Sequence, residues 1–133
     1  MCLILSKYKK NSTLFEVAKE DIICYKLLLN VSPNSLYTAY RRFPVEGEYL
    51  KAKDLPNIKR SGKGYYLEEG VIHSFASLGA AHLAILLSSF DFINIVVYEC
   101  IIPKGTKYYK GRFGTLSSYG SLCIKFVEKC MIS

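Results

Sequence analysis

Residues Phe92–Ile102 read FINIVVYECII, and this is the most strand-like segment of the chain. β-branched and aromatic side chains dominate it, and it is too apolar for the edge of a sheet. A second apolar run, Asp21–Leu29 (DIICYKLLL), contains one lysine and is followed by turn-forming residues at 32–35. The two segments predict central strands of a sheet.

The sequence predicts one helix, over about residues 76–89, with Ser74 or Ser77 as its cap. The surrounding segment Gly70–Phe90 has no formal charge and is about long enough to cross a bilayer. Its serines, glycine and histidines instead favour a strand end followed by a buried helix. Residues 54–63, with a proline, a glycine and several bases, are typical of an exposed loop. The expected fold is α+β, with an antiparallel or mixed sheet and one main helix.

Length and composition indicate a single folded domain over residues 1–133. Half of the 133 residues are hydrophobic (50%), which excludes disorder. The five cysteines form no C-x-x-C pair, and no histidine stands at zinc-finger spacing, so we expect no metal site and no cofactor. Cys24, Cys100 and Cys123 lie in apolar runs and are expected to be buried thiols. The odd number of cysteines and the lack of a signal peptide favour a reducing cytoplasm.

The net charge of +7 is concentrated in two segments, 40–65 and 103–112, and the residues between them contain no lysine or arginine. If these segments meet in space, they form a positive surface suited to phosphates or to an acidic protein. A solvated face that only maintains solubility is the alternative. Tyrosines among the bases suit stacking on a nucleobase, although aromatic residues on strands are also ordinary sheet packing.

The dipeptide His73-Ser74 lies where a strand gives way to the helix N-terminus, a common place to hold the anionic group of a ligand. Lys104 and Lys107 follow the 92–102 strand. Arg41-Arg42 precedes a turn at Pro44. Both pairs of bases are expected at the rim of one cleft near His73.

Three stretches, Cys24–Leu27, Ile72–Phe75 and Cys100–Gly111, resemble a family of small uncharacterised proteins from gut bacteria and their phages. Their order is also similar to the ADP-ribosyltransferase fold. In that fold an early strand carries a tyrosine and a basic residue, a serine-containing strand precedes a helix, and a late strand ends in a Pro-Lys-Gly-Thr-like turn. The resemblance implies that Tyr25, Lys26 and the late turn line a nucleotide pocket.

The chain departs from the ADP-ribosyltransferase pattern at the residues that carry activity. The last motif of that fold supplies a glutamate that binds the nicotinamide ribose, but Ser118–Cys123 contains no carboxylate. Lys26 stands where an arginine is expected. A transferase lacking this glutamate has no group to stabilise the developing oxocarbenium ion. The resemblance therefore implies binding without turnover, and no catalytic residue is assigned.

The leading hypothesis is a non-enzymatic, phage-encoded binding protein in the host cytoplasm. It captures an anionic, nucleotide-like ligand and antagonises a host defence signal. The alternatives are a protein-binding inhibitor of a host defence enzyme, as some anti-CRISPR proteins are, and an ADP-ribosyltransferase-like enzyme. No membrane partner is expected, and a homo-oligomer that hides a strand edge is an open alternative. The predicted ligand-binding residues are Tyr25, Lys26, Arg41, Arg42, His73, Ser74, Lys104, Lys107 and Tyr108.

Overall fold

A computed structural model describes most of the chain, and its described residues form one sheet of twelve strands with one helix. All of the pairs between these strands are antiparallel. The protein is therefore mainly β, and the expected α+β class, with one main helix at about 76–89 against an antiparallel or mixed sheet, is wrong, although a helix does lie at Leu78–Leu87. The described residues are 3–5, 15–32, 35–38, 45, 47–52, 58–61, 64–67, 71–87, 95–113 and 115–130.

The elements follow one another along the chain with a single helix, α1, between the eighth and ninth strands. They are β1 (Leu3–Leu5), β2 (Glu16–Val17), β3 (Ile22–Ser32), β4 (Ser35–Thr38), β5 (Tyr49–Lys51), β6 (Ile58–Ser61), β7 (Gly64–Leu67), β8 (Ile72–Phe75), α1 (Leu78–Leu87), β9 (Ile95–Ile102), β10 (Lys107–Phe113), β11 (Leu116–Ser121) and β12 (Cys123–Lys129).

Strands without a strand-like sequence account for the difference from the expected fold. β6 lies inside the segment predicted to be a loop, β10 contains a glycine and three bases, and β11 contains a glycine and three serines. Their local preference for a strand is weak, and pairing with neighbours compensates for it. β10 pairs with β11 at six positions, and β6 pairs with β7 at four. Tertiary pairing, which the sequence pattern does not report, therefore decides the fold class.

The two apolar runs form the centre of the sheet, as predicted. β3 and β9 pair continuously at eight positions, from Ile22 opposite Ile102 to Leu29 opposite Ile95. β3 also pairs with β8, and β9 also pairs with β12, so neither strand lies at an edge.

A single bend folds the sheet back on itself. Only Leu122 separates β11 from β12, yet β11 pairs with β8 while β12 pairs with β9. Both β8 and β9 also pair with β3, so β11, β8, β3, β9 and β12 lie side by side in that order, and Leu122 links the two ends of this series through the chain. The sheet consequently curls around one of its faces.

The helix covers the other face, which we call the helix face. Ala81 and Ala84 of α1 pack against Leu27, Phe75 and Val97 in one buried cluster. The helix begins after Ser77, whose Oγ accepts a hydrogen bond of 3.1 Å from the Ala80 N–H. No helix in the described part of the chain is long and apolar enough to span a bilayer.

The enclosed face, which we call the far face, has its own buried cluster. Cys24, Cys100, Ile102, Tyr108 and Ile124 belong to it, and they come from four different strands. This face contains the buried polar side chains from which the candidate site is built.

Candidate functional site

Lysine and tyrosine side chains form a continuous row across the far face. Lys110 pairs with Tyr119, and Tyr119 pairs with Ser74 on the next strand. On the other side of β3, Tyr98 pairs with both Lys26 and Lys129. Directly paired residues of antiparallel strands point to the same face of a sheet. The lysine–tyrosine row consists of Lys129, Tyr98, Lys26, Ser74, Tyr119 and Lys110.

The two halves of the row meet where β3 lies against β8. Tyr25 pairs with Phe75, which places the next residue, Lys26, beside Ser74. The Lys26 ammonium donates a hydrogen bond of 2.6 Å to the carbonyl oxygen of His73. This bond holds together two strands that pair at a single described position. Lys26 is only 7% exposed, so its positive charge lies inside the curled sheet.

Burial and the Lys26 charge shift the pKa values of the titratable groups near Lys26. Burial and, to a smaller extent, the Lys26 charge together lower the pKa of His73 to about 3, so the imidazole is neutral at physiological pH. Burial raises the pKa of the Cys24 thiol to about 11, and it also raises the pKa of Cys100. Ser74 and Lys26 oppose the shift at Cys24. Lys26 is therefore the source of positive potential here, and the thiols are protonated.

Small polar side chains surround the buried ammonium. Ser74 and Ser121 are both fully buried on the far face. The Ser121 Oγ has no hydrogen-bond partner among the described residues. A buried hydroxyl without a partner costs free energy, and a bound polar group removes that cost. Ser121 pairs with Ile72, two residues from Ser74 on β8, so this hydroxyl lies next to the row.

Each tyrosine of the row is held by another aromatic ring. Tyr98 meets Phe126 edge to face, with 6.0 Å between ring centroids. Tyr119 meets Tyr108 in the same way at 5.9 Å. Tyr98 and Tyr119 are both half-buried. Such packing fixes the orientation of a ring before any ligand arrives, which lowers the entropic cost of stacking on it.

The row ends in exposed lysines. Lys110 forms an ion pair of 3.5 Å with Glu16, and more than half of each side chain is exposed. Exposed pairs of this kind contribute about 0–1 kcal/mol, so an anionic ligand competes readily for Lys110. Lys129 is exposed at the opposite end, on β12. The row is positive at both ends and at its buried centre.

Four of the predicted ligand-binding residues lie at or next to this row. Lys26 and Ser74 belong to it, and Tyr108 packs against its Tyr119. His73 contributes its backbone carbonyl, whereas its ring meets Phe75 on the helix face, with 4.8 Å between centroids.

The other predicted residues lie elsewhere. Tyr25 packs against the buried cluster of the helix face. Lys104 follows β9 in an exposed turn, where its backbone N–H donates to Asp21 Oδ1 at 2.9 Å. The Lys107 ammonium lies 4.9 Å from the centroid of the Phe15 ring. Arg41 and Arg42 lie outside the described residues.

Sequence reasoning missed Tyr98, Tyr119, Lys110 and Lys129. The sequence contains a usable signal for Lys110 and Tyr119, because β10 and β11 form a hairpin in which Phe113 pairs with Leu116. Alternation back from that turn places Lys110 opposite Tyr119. The pairing of β12 with β9 brings Lys129 to Tyr98 across an irregular register, which no local pattern encodes.

The described residues contain no cluster of three or more metal-binding side chains. In comparisons with known proteins, the chain matches no family model, no curated protein and no solved structure. The geometry of the row is therefore the basis on which a function is proposed below.

Proposed function

We propose that the protein is a non-enzymatic binding protein that captures an anionic, nucleotide-like ligand on the lysine–tyrosine row. The proposal is supported most directly by the order of side chains along the row. A buried lysine lies between two tyrosines, and an exposed lysine stands at each end. Cations bind phosphate oxygens, and aromatic rings stack on nucleobases.

The pattern favours binding over catalysis. The groups near Lys26 are protonated thiols and hydroxyls on the far face and a neutral imidazole whose ring lies on the helix face. General acid–base catalysis needs a group that titrates near neutral pH, and none of these does. The segment between Gly111 and Lys125 contains no carboxylate for transferase chemistry.

The biological role follows from the resemblance to proteins of gut bacteria and their phages. A phage protein that holds a nucleotide-derived signal in the host cytoplasm lowers its free concentration and antagonises the defence that depends on it. Binding without turnover is sufficient for this role, provided that the protein is abundant relative to the signal.

The test is a thermal shift measured with a panel of linear and cyclic nucleotides. A ligand at one hundred times its Kd stabilises the folded protein by about 2.7 kcal/mol, which corresponds to a rise in Tm of several degrees. The proposal expects such a rise for at least one nucleotide and a smaller one for Lys26→Met. No rise with any nucleotide, or an equal rise in Lys26→Met, contradicts it.

A second function, inhibition of a host defence enzyme by direct binding, is favoured by the exposed apolar side chains of α1. Leu83, Leu86 and Leu87 are 49%, 67% and 74% exposed. Three leucines on one short helix are typical of a protein-binding surface. The same nucleotide panel separates the two functions, since a protein-binding inhibitor shows no nucleotide-dependent shift.

A further inference from the structure

The row contains two aromatic platforms, one on each side of its buried lysine. The first is Tyr98 supported by Phe126, and the second is Tyr119 supported by Tyr108. A mononucleotide has one ring system and therefore occupies one platform. A ligand that uses the whole row carries two rings with an anionic group between them.

The spacing of the strands supports this reading. Tyr98 on β9 and Tyr119 on β11 are three strand spacings apart, with β3 and β8 between them. Three spacings amount to roughly 14 Å along the sheet. Bases stacked on one another in a nucleic-acid strand are only about 3.4 Å apart. Two bases seated on the two platforms are therefore splayed apart, and the phosphate that joins them passes over Lys26.

We infer that the ligand is a dinucleotide whose two bases stack on Tyr98 and Tyr119 while its linking phosphate binds the Lys26 ammonium. Linear and cyclic dinucleotides share this arrangement of ring, phosphate and ring. The inference rests on the proposed function, since it specifies which nucleotide the same row takes.

The experiment measures the Kd of AMP, linear diadenylate and cyclic diadenylate for the unaltered protein and for the variants Tyr98→Leu and Tyr119→Leu. Tyr98→Phe keeps the ring and removes only the hydroxyl. Tyr49→Leu removes an exposed tyrosine on β5, outside the row, and is the matched control. Thermal unfolding without ligand confirms that each variant is folded.

The expected result is that at least one diadenylate binds tenfold or more tightly than AMP. Each leucine variant weakens that diadenylate by about tenfold or more, because base–aromatic stacking is lost. Tyr98→Phe and Tyr49→Leu stay within about twofold of the unaltered protein. The diadenylate that binds more tightly shows whether the row takes a linear or a cyclic dinucleotide.

Two outcomes overturn the inference while leaving the proposed function intact. One is AMP binding as tightly as both diadenylates, and the other is AMP binding that depends on both tyrosines, which places one base between them. If none of the three nucleotides binds, and the wider panel gives no thermal shift, the proposed function itself fails.

Discussion

The two faces of the sheet bury different kinds of side chain. The helix face is closed mainly by aliphatic and aromatic groups, with Leu27, Phe75 and Val97 packed beneath the alanines of α1. The buried Ser118 hydroxyl on this face donates a hydrogen bond of 3.0 Å to the Leu116 carbonyl oxygen. The far face buries an ammonium group and two serine hydroxyls beside its apolar cluster. Apolar burial stabilises a fold, whereas buried polar groups cost free energy unless they are satisfied. The comparison indicates that the helix face maintains the fold, and it is consistent with our proposal that the far face binds the ligand.

Removing a buried side chain from the helix face should have the largest effect on stability. Phe75→Ala removes a fully buried ring and should lower the free energy of unfolding by about 3–5 kcal/mol. Chemical denaturation measures the loss. Leu87 lies on the exposed side of α1, the helix that covers this face. Leu87→Ala should therefore change the free energy of unfolding by about 0.5 kcal/mol or less. Equal losses in the two variants would show that α1 is not packed on this face.

The pH dependence of stability sharpens the contrast at His73. The folded protein keeps the imidazole neutral down to a pKa of about 3, whereas the unfolded chain takes up a proton near pH 6.5. Because the unfolded state binds more protons, this contribution to stability is complete above pH 6.5 and is lost as the pH falls toward 3. Below pH 6.5 the protein should lose about 1.4 kcal/mol per pH unit relative to His73→Gln. Parallel stability curves for the two proteins would contradict the burial of this ring.

Cysteine reactivity should separate the buried thiols of the far face from the half-buried thiols that lie outside it. The raised pKa of Cys24, about 11, leaves roughly a hundredfold less thiolate at neutral pH than an ordinary cysteine has. Cys24 and Cys100 should react with iodoacetamide far more slowly than the half-buried Cys123 and Cys130. Peptide mapping after timed labelling measures the four rates. Rapid modification of Cys24 in the folded protein is the contrary result.

Removing the ion-pair partner of Lys110 should have the smallest effect, and it should strengthen nucleotide binding. Glu16→Gln removes the carboxylate that faces Lys110, so the lysine becomes available to an anionic ligand. Because exposed ion pairs contribute about 0–1 kcal/mol, nucleotide binding should tighten by no more than about fivefold. Titration at low salt measures it, with Glu20→Gln as a control that removes an equal charge elsewhere. Equal tightening in both variants would assign the gain to net charge alone.

The sequence predicted the centre of this fold better than its extent. The apolar runs at β3 and β9 carry an unmistakable strand pattern, and Ser77 was one of the two serines predicted to cap the helix. β6 and β10 carry bases instead, and only their pairing with neighbouring strands makes them strands. For this reason, the helix was given too large a share of the expected architecture.

The candidate site shows the same division. Lys26 and Ser74 were identified, together with the neighbouring Tyr108, whereas the row that joins them was not. Segment charge drew attention to Lys104 and Lys107, which lie outside the row. Which residues share a face depends on the register between strands, and the bend at Leu122 brings together strands that are distant in sequence.

The most direct test of the account compares Lys26→Met with Lys104→Met in nucleotide titrations at two salt concentrations. Both changes remove one positive charge, but only Lys26 lies in the row. Losing a charge-assisted hydrogen bond costs about 1.5–3 kcal/mol, so Lys26→Met should weaken binding about tenfold or more and reduce its salt dependence. Lys104→Met should change the Kd by less than about twofold. Equal losses in the two variants, or a larger loss in Lys104→Met, would contradict the assignment of the site to the lysine–tyrosine row.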